Sequence, residues 1–155
     1  MTTTLSDVTI VDFPETDVGL LEHRGDPATL DQTLARFIAW RREAGLPPAT
    51  SATYNLLYND PHTTPPADFR IALCAQTPGP IAQNSAGVTA AKIPAGRCAM
   101  ITQHGYDHGL TPALTHLLAT CLPASGEQRR DHPIIVRRVA LPPANPINEI
   151  FLPLA

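Results

Sequence analysis

The chain repeats itself at a shift of 80 residues, and this repeat limits the fold more than any single motif does. Under the shift Pro14 falls on Pro94, Gly25 on Gly105, Leu30 on Leu110, Leu34 on Leu114 and Ala39 on Ala119. Leu20 and Leu21 fall on Met100 and Ile101, and Phe37 and Ile38 fall on Leu117 and Leu118. The order of local patterns repeats as well. Val8 to Phe13 and Val88 to Ile93 alternate as strands do, and Val18 to His23 and Cys98 to Gln103 read as second strands. Between them Pro14 to Asp17 and Pro94 to Gly96 read as turns. Asp26-Pro27 and Thr111-Pro112 each open a helix. The first helix carries the stripe Leu30, Leu34, Phe37, Ile38 and Arg41 and stops at Gly45. The second carries Leu114, Leu117, Leu118, Cys121 and Leu122, with Pro123 as its expected end. Two strands then close each copy: Ser51 to Tyr58 with Phe69 to Ala75, and Pro133 to Ala140 with Glu149 to Leu154.

The expected fold class is therefore α+β. Tandem duplicated strand–helix–two-strand repeats would build antiparallel sheets around a central groove. One domain would span 1–155, with repeats at about 5–76 and 86–155 and a linker at about 77–85. The groove is the natural place for a ligand, because pockets favour such junctions.

Charge and composition exclude several functions. A formal net charge of -3 argues against direct binding of nucleic acid, which needs a basic surface. No run of 18 apolar residues predicts a membrane span, and the opening MTTTLSDVT lacks the pattern of a signal peptide. Cys74, Cys98 and Cys121 are odd in number and widely spaced, which points to inert thiols in a cytoplasmic protein. No cofactor is expected, since Gly79, Gly87 and Gly96 are isolated and form no phosphate-cradling loop. No metal site is expected either. His104 and His108 are four residues apart, but Gly105 and Gly109 interrupt the helix that would align them.

The most informative side chain is Glu149, the only acid after Asp131. It lies in an apolar closing strand, where Ile147, Glu149, Phe151 and Pro153 share one face. A carboxylate buried there needs a partner. That partner could be a ligand cation, or one of Arg97, Arg137 and Arg138 in an internal ion pair. Aromatic residues make up only 5% of the chain, and Phe151, Tyr54, Tyr58, Trp40 and Tyr106 are the candidates for a pocket wall.

Several segments together resemble one family. They are Tyr58-Asn-Asp-Pro61 through Arg70, Ile93-Pro-Ala-Gly-Arg97, His104-Gly105, Leu122-Pro-Ala-Ser-Gly126, Pro133, and the closing Glu149-Ile-Phe-Leu-Pro153. Trp40 matches an aromatic late in that family's first helix. The chain resembles the GyrI-like small-molecule-binding domains, which also serve as effector-binding modules of AraC-type and MerR-type multidrug-responsive regulators. The resemblance implies a groove that takes amphipathic, often cationic molecules, lined by a carboxylate and aromatics. Two departures make the pocket less polar: Val136 stands near an expected second acid, and Phe151 replaces a tyrosine.

The leading expectation is a stand-alone small-molecule-binding protein centred on Glu149, with no room for a DNA-binding helix-turn-helix. The resemblance also implies two alternatives. One is a hydrolase of strained cyclopropane-type compounds using Glu149 as base. The other is a protein-binding modulator of a topoisomerase, DNA gyrase. The sequence leaves the oligomeric state open.

Overall fold

The computed structural model describes residues 4–5, 7–60, 63–105, 110–141 and 144–155. In chain order the elements are β1 (Thr4–Leu5), β2 (Thr9–Phe13), β3 (Thr16–Arg24), α1 (Leu30–Ala44), β4 (Thr53–Leu57) and β5 (Arg70–Gln76). They continue with β6 (Thr89–Ile93), β7 (Gly96–His104), a helical segment α2 (111–125), β8 (Ile134–Ala140) and β9 (Ile147–Pro153). The α+β expectation holds. Two compact units share the chain: a contiguous unit, residues 15–94, and a split unit, residues 1–14 with 95–155.

In the contiguous unit the strands run β4-β5-β3-β6, all antiparallel, and α1 lies on one face. Asp26 caps the entry by accepting a hydrogen bond from the Ala28 amide at 2.9 Å, and a 3₁₀ turn at Pro27–Thr29 leads into α1. Gly45, at φ 70°, ends the helix. The face that α1 buries is rotated from the expected stripe. Thr33, Phe37, Trp40 and Arg41 are buried, while Leu34 and Ile38 are 39% and 41% exposed. The sheet explains the rotation. Gly19 on β3 has no side chain, and the Trp40 indole fills that space, 2.6 Å from where a Cβ would stand. Phe37 stacks on Trp40 at 5.7 Å, and both rings pack with Leu21, Leu73, Ala75 and Val88. Arg41 then spreads its fork over three acceptors: the Leu46 and Ser51 carbonyls and Thr53 Oγ1, each at 2.8 Å.

In the split unit β8-β9-β7 are neighbours, and β2 and β1 pair with the other edge of β7. Segment α2 is α-helical at Thr111–Thr115, π-helical at His116–Cys121 and α-helical again at Leu122–Ser125. Pro123 therefore does not end the helix, as the sequence reading expected; Gly126 does, at φ 73°. A proline ring clashes with the carbonyl four residues earlier in a regular α-helix, and the wider π turn before Leu122 relieves that contact.

The segments at Pro14 and Pro94 are not hairpin turns, which corrects a second expectation. Strand β2 pairs with β7, from Thr9 opposite Met100 to Phe13 opposite Gly96. Strand β6 pairs with β3, from Thr89 opposite Leu20 to Ile93 opposite Thr16. Two-residue hairpin loops need positive φ, whereas proline is fixed near −65°. The chain passes through Pro14-Glu15 and Pro94-Ala95 without a turn, and each strand takes a partner distant in sequence.

Candidate functional site

Alternation along β9 sorts its side chains onto two faces. In the split unit α2 covers the face bearing Ile101, Gln103, Ile150 and Leu152: Ala113 and Leu117 are buried there, and the Ala113 amide donates to Gln103 Oε1 at 3.3 Å. Glu149 and Phe151 belong to the opposite face. Glu149 stands across from Thr102 on one side and Arg137 on the other, and Phe151 stands between Met100 and Ile135. Phe13 meets Phe151 edge to face, with ring centroids 5.0 Å apart. Glu149 Oε1 lies 3.6 Å from Arg137 Nη1, beyond hydrogen-bond reach, and the two side chains are 27% and 47% exposed. Of the three arginines considered as partners, Arg137 is the one within ion-pair distance, while Arg97 makes a two-pronged bond to Glu127 at 2.8 Å.

The contiguous unit presents a second helix-free face. Tyr54 is buried on β4 across from Cys74 of β5, and Glu22 of β3 stands across from Ala72 of β5. Glu22 anchors a cluster. Arg70 Nε and Nη2 donate to Glu22 Oε1 at 2.7 and 2.5 Å, and Arg24 Nε donates to Oε2 at 3.3 Å. The Arg70 guanidinium lies 4.2 Å from the centroid of the Tyr58 ring. Asn59 fixes the strand entry by accepting from the Arg70 amide at 3.0 Å and donating to the Asp68 carbonyl at 2.9 Å. Partial burial raises the Glu22 carboxyl, but hydrogen bonds and charge from Arg70 and Arg24 outweigh it and hold the group below its usual range. Burial, followed by the negative charge of Glu22, pushes the Tyr58 hydroxyl up.

The candidate residues therefore separate. Glu149 and Phe151 are adjacent on one face of the split unit. Tyr54 lies on the helix-free face of the contiguous unit, and Tyr58 is half-buried beneath Arg70. Trp40 is in the core under α1, on the other side of the sheet from Tyr54. Tyr106 lies outside the described residues. Glu22, Arg70 and Phe13 were not singled out from sequence. One signal did exist for Glu22: the 80-residue shift carries it onto Thr102, the cross-strand neighbour of Glu149.

Comparison with known proteins shows the family. The profile of the GyrI-like small molecule binding domain matches residues 6–155. The chain belongs to the GyrI-like family. A curated relative, "Probable transcriptional regulator YgiV" of Escherichia coli K12, is 38% identical over 136 residues, covering 87% of this chain and 85% of that protein. Among solved structures, the EcmrR C-terminal domain matches with a TM-score of 0.74 at 14% identity, over 96% of this chain and 97% of that one. SAV2435, solved bound to tetraphenylphosphonium, matches with a TM-score of 0.55 at 10% identity, over 97% and 94% of the two chains. At those identities the two structures speak for the fold alone. The chain is thus a GyrI-like small-molecule-binding domain of a kind found in regulators. Among the described residues no helix is long and apolar enough to cross a membrane.

Proposed function

We propose that the chain binds an amphipathic, cation-bearing small molecule against the helix-free face of the split unit. Glu149 reads the cation, and Phe151, Phe13 and Met100 receive its apolar body. Tyr54, on the helix-free face of the contiguous unit, is the further aromatic candidate. Tyr58 is a weaker one because Arg70 already occupies its ring face. Trp40 is a core residue in this reading. We further propose that the halves are copies of one unit. The pair Thr9–Met100 becomes Thr89–Leu20 under the 80-residue shift, and β2 and β6 share the same pattern of burial. The free cysteines, two of them buried, suit a reducing cytoplasm.

The observation that carries the proposal is the loose Glu149–Arg137 pair beside two phenylalanines. An exposed ion pair contributes only about 0–1 kcal/mol, so a lipophilic cation can displace Arg137 at little cost. A bound cation would gain the Glu149 carboxylate once Arg137 is displaced. Calorimetric titration with tetraphenylphosphonium tests this. Glu149→Gln should weaken binding about tenfold, or roughly 1.4 kcal/mol, while changing stability by less than about 1 kcal/mol. Equal affinity in the native chain and Glu149→Gln would overturn the assignment of the carboxylate.

A further inference from the structure

Corresponding strand edges in the two units are treated differently. In the split unit β2 covers β7 up to Met100, and the chain's own β1 then covers Gln103 and His104. In the contiguous unit β6 covers β3 only up to Leu20, and among the described residues no strand lies beside Glu22 to Arg24 on that side. Residues 84 and 85, which the 80-residue shift matches to β1, do not continue along β3. Asn84 instead closes a loop on itself, accepting from the Val88 amide at 3.0 Å and donating to the Val88 and Ala82 carbonyls at 2.9 and 3.0 Å. Gly87, at φ 85°, completes the departure.

The backbone of that edge points outward. The Asp17 carbonyl accepts from Thr77 and the Gly25 amide donates to Phe69, so odd-numbered residues of β3 face β5. Alternation then turns the N–H and C=O groups of Glu22 and Arg24 toward the uncovered side. A polar groove runs beside them, with Thr29, Gln32 and Arg36 of the helical side as its other wall. The Glu22 carboxylate is already held by Arg70 and Arg24, and the Asp26 carboxylate accepts from the Ala28 amide. Among the residues lining the groove Arg24 and Arg36 outnumber Glu22, and Glu22 is shared with Arg70 as well, so the groove keeps a net positive charge.

We propose that this edge docks an extended acidic peptide of a partner protein by strand addition, with its carboxylates against Arg24 and Arg36. The window between the end of β6 and the turn at Gly25 is short. It suits a short extended segment, and β1, only two residues long, shows how short a strand can pair with the corresponding edge. The positive rim selects acidic sequences over basic ones.

The test uses the full chain and an acetylated Thr-Glu-Val-Glu-Val-Thr amide, with lysine-for-glutamate and alternately N-methylated versions as controls. Amide exchange is followed by NMR. The Glu22 and Arg24 amides should exchange quickly in the free protein and at least tenfold more slowly with the acidic peptide. N-methylation should abolish the protection, and the lysine peptide should bind at least tenfold more weakly. Arg36→Glu, at an exposed helix position, should weaken the acidic peptide similarly without lowering the melting temperature. Protection of these amides that rises with protein concentration alone would mean that a second copy holds the edge, and would overturn the proposal. Binding that leaves both amides unprotected, or that survives N-methylation, would overturn it as well.

Discussion

Cys74 sits in the middle of β5, fully buried, and burial pushes its thiol up to about 12. The folded state keeps the sulfur protonated because a thiolate there would lose its hydration. An unfolded chain ionises the same thiol near 9, so folding opposes ionisation. The contribution is intact below about pH 9 and is lost as the pH rises toward the folded value, at about 1.4 kcal/mol per unit. Tyr58, also pushed up by burial, acts in the same direction at higher pH. Urea unfolding of the native chain should therefore lose about 2 kcal/mol from this thiol between pH 8 and 10.5, and Cys74→Ala should lose that much less. Equal pH slopes in the two proteins would show that the thiol ionises freely in the fold. At this scale the sequence exposed one acid and hid another. Glu149 stood out because its strand is otherwise apolar and no acid follows it. Glu22 sits beside His23 and Arg24, so it read as the polar end of a strand, and its main partner, Arg70, is 48 residues away. No local pattern reports a contact of that range.

Helix α1 shows what periodicity can and cannot resolve. Its existence, its proline-led entry and its stop at Gly45 were legible from caps and spacing. Its rotation was not, because two overlapping stripes compete, one through Leu34 and Ile38 and the other through Phe37 and Trp40. The choice was made on the sheet, at Gly19, where a missing side chain admits the indole. Gly19→Ala should accordingly cost about 1–3 kcal/mol in thermal or urea unfolding, because a Cβ would stand 2.6 Å from Trp40 Cη2 inside a packed core. Gly96→Ala provides the contrast. Its Cβ would meet the guanidinium of Arg130, the far end of a flexible side chain. Arg130 Nε and Nη2 are buried without a hydrogen-bond partner among the described residues, so moving the guanidinium into water returns their hydration. Gly96→Ala should therefore cost less than Gly19→Ala. The opposite order would mean that Trp40 can move and that Arg130 is the fixed group.

Across the whole chain, β2 and β6 each pair with a strand from the other half of the sequence, and the repeat alone does not reveal this exchange. The pattern at the 80-residue shift pointed to strands and helices but was silent on which strands become neighbours. The clue lay in the links, because Pro14-Glu15 and Pro94-Ala95 cannot supply the positive φ of a tight hairpin. That restriction has a consequence for folding. A local β2–β3 hairpin would close a loop of a few residues, whereas β6 must close one of about 70 to reach the same edge of β3. Loop-closure entropy then favours the wrong, local pairing by roughly 2–3 kcal/mol, and Pro14 blocks it. Replacing Pro14→Asn together with Glu15→Gly installs a sequence favoured in type I′ turns and removes the block. The double variant should refold with an added slow phase, as chains that paired β2 with β3 must undo that hairpin before β6 can dock. Its stability should also fall by about 0.5–1 kcal/mol from the freer unfolded chain. Pro14→Ala, which loosens the link without offering a turn, should share the stability loss and keep the native refolding kinetics. Stopped-flow refolding separates the two effects. If the Asn-Gly variant refolds like Pro14→Ala, the proline does not act by excluding the hairpin.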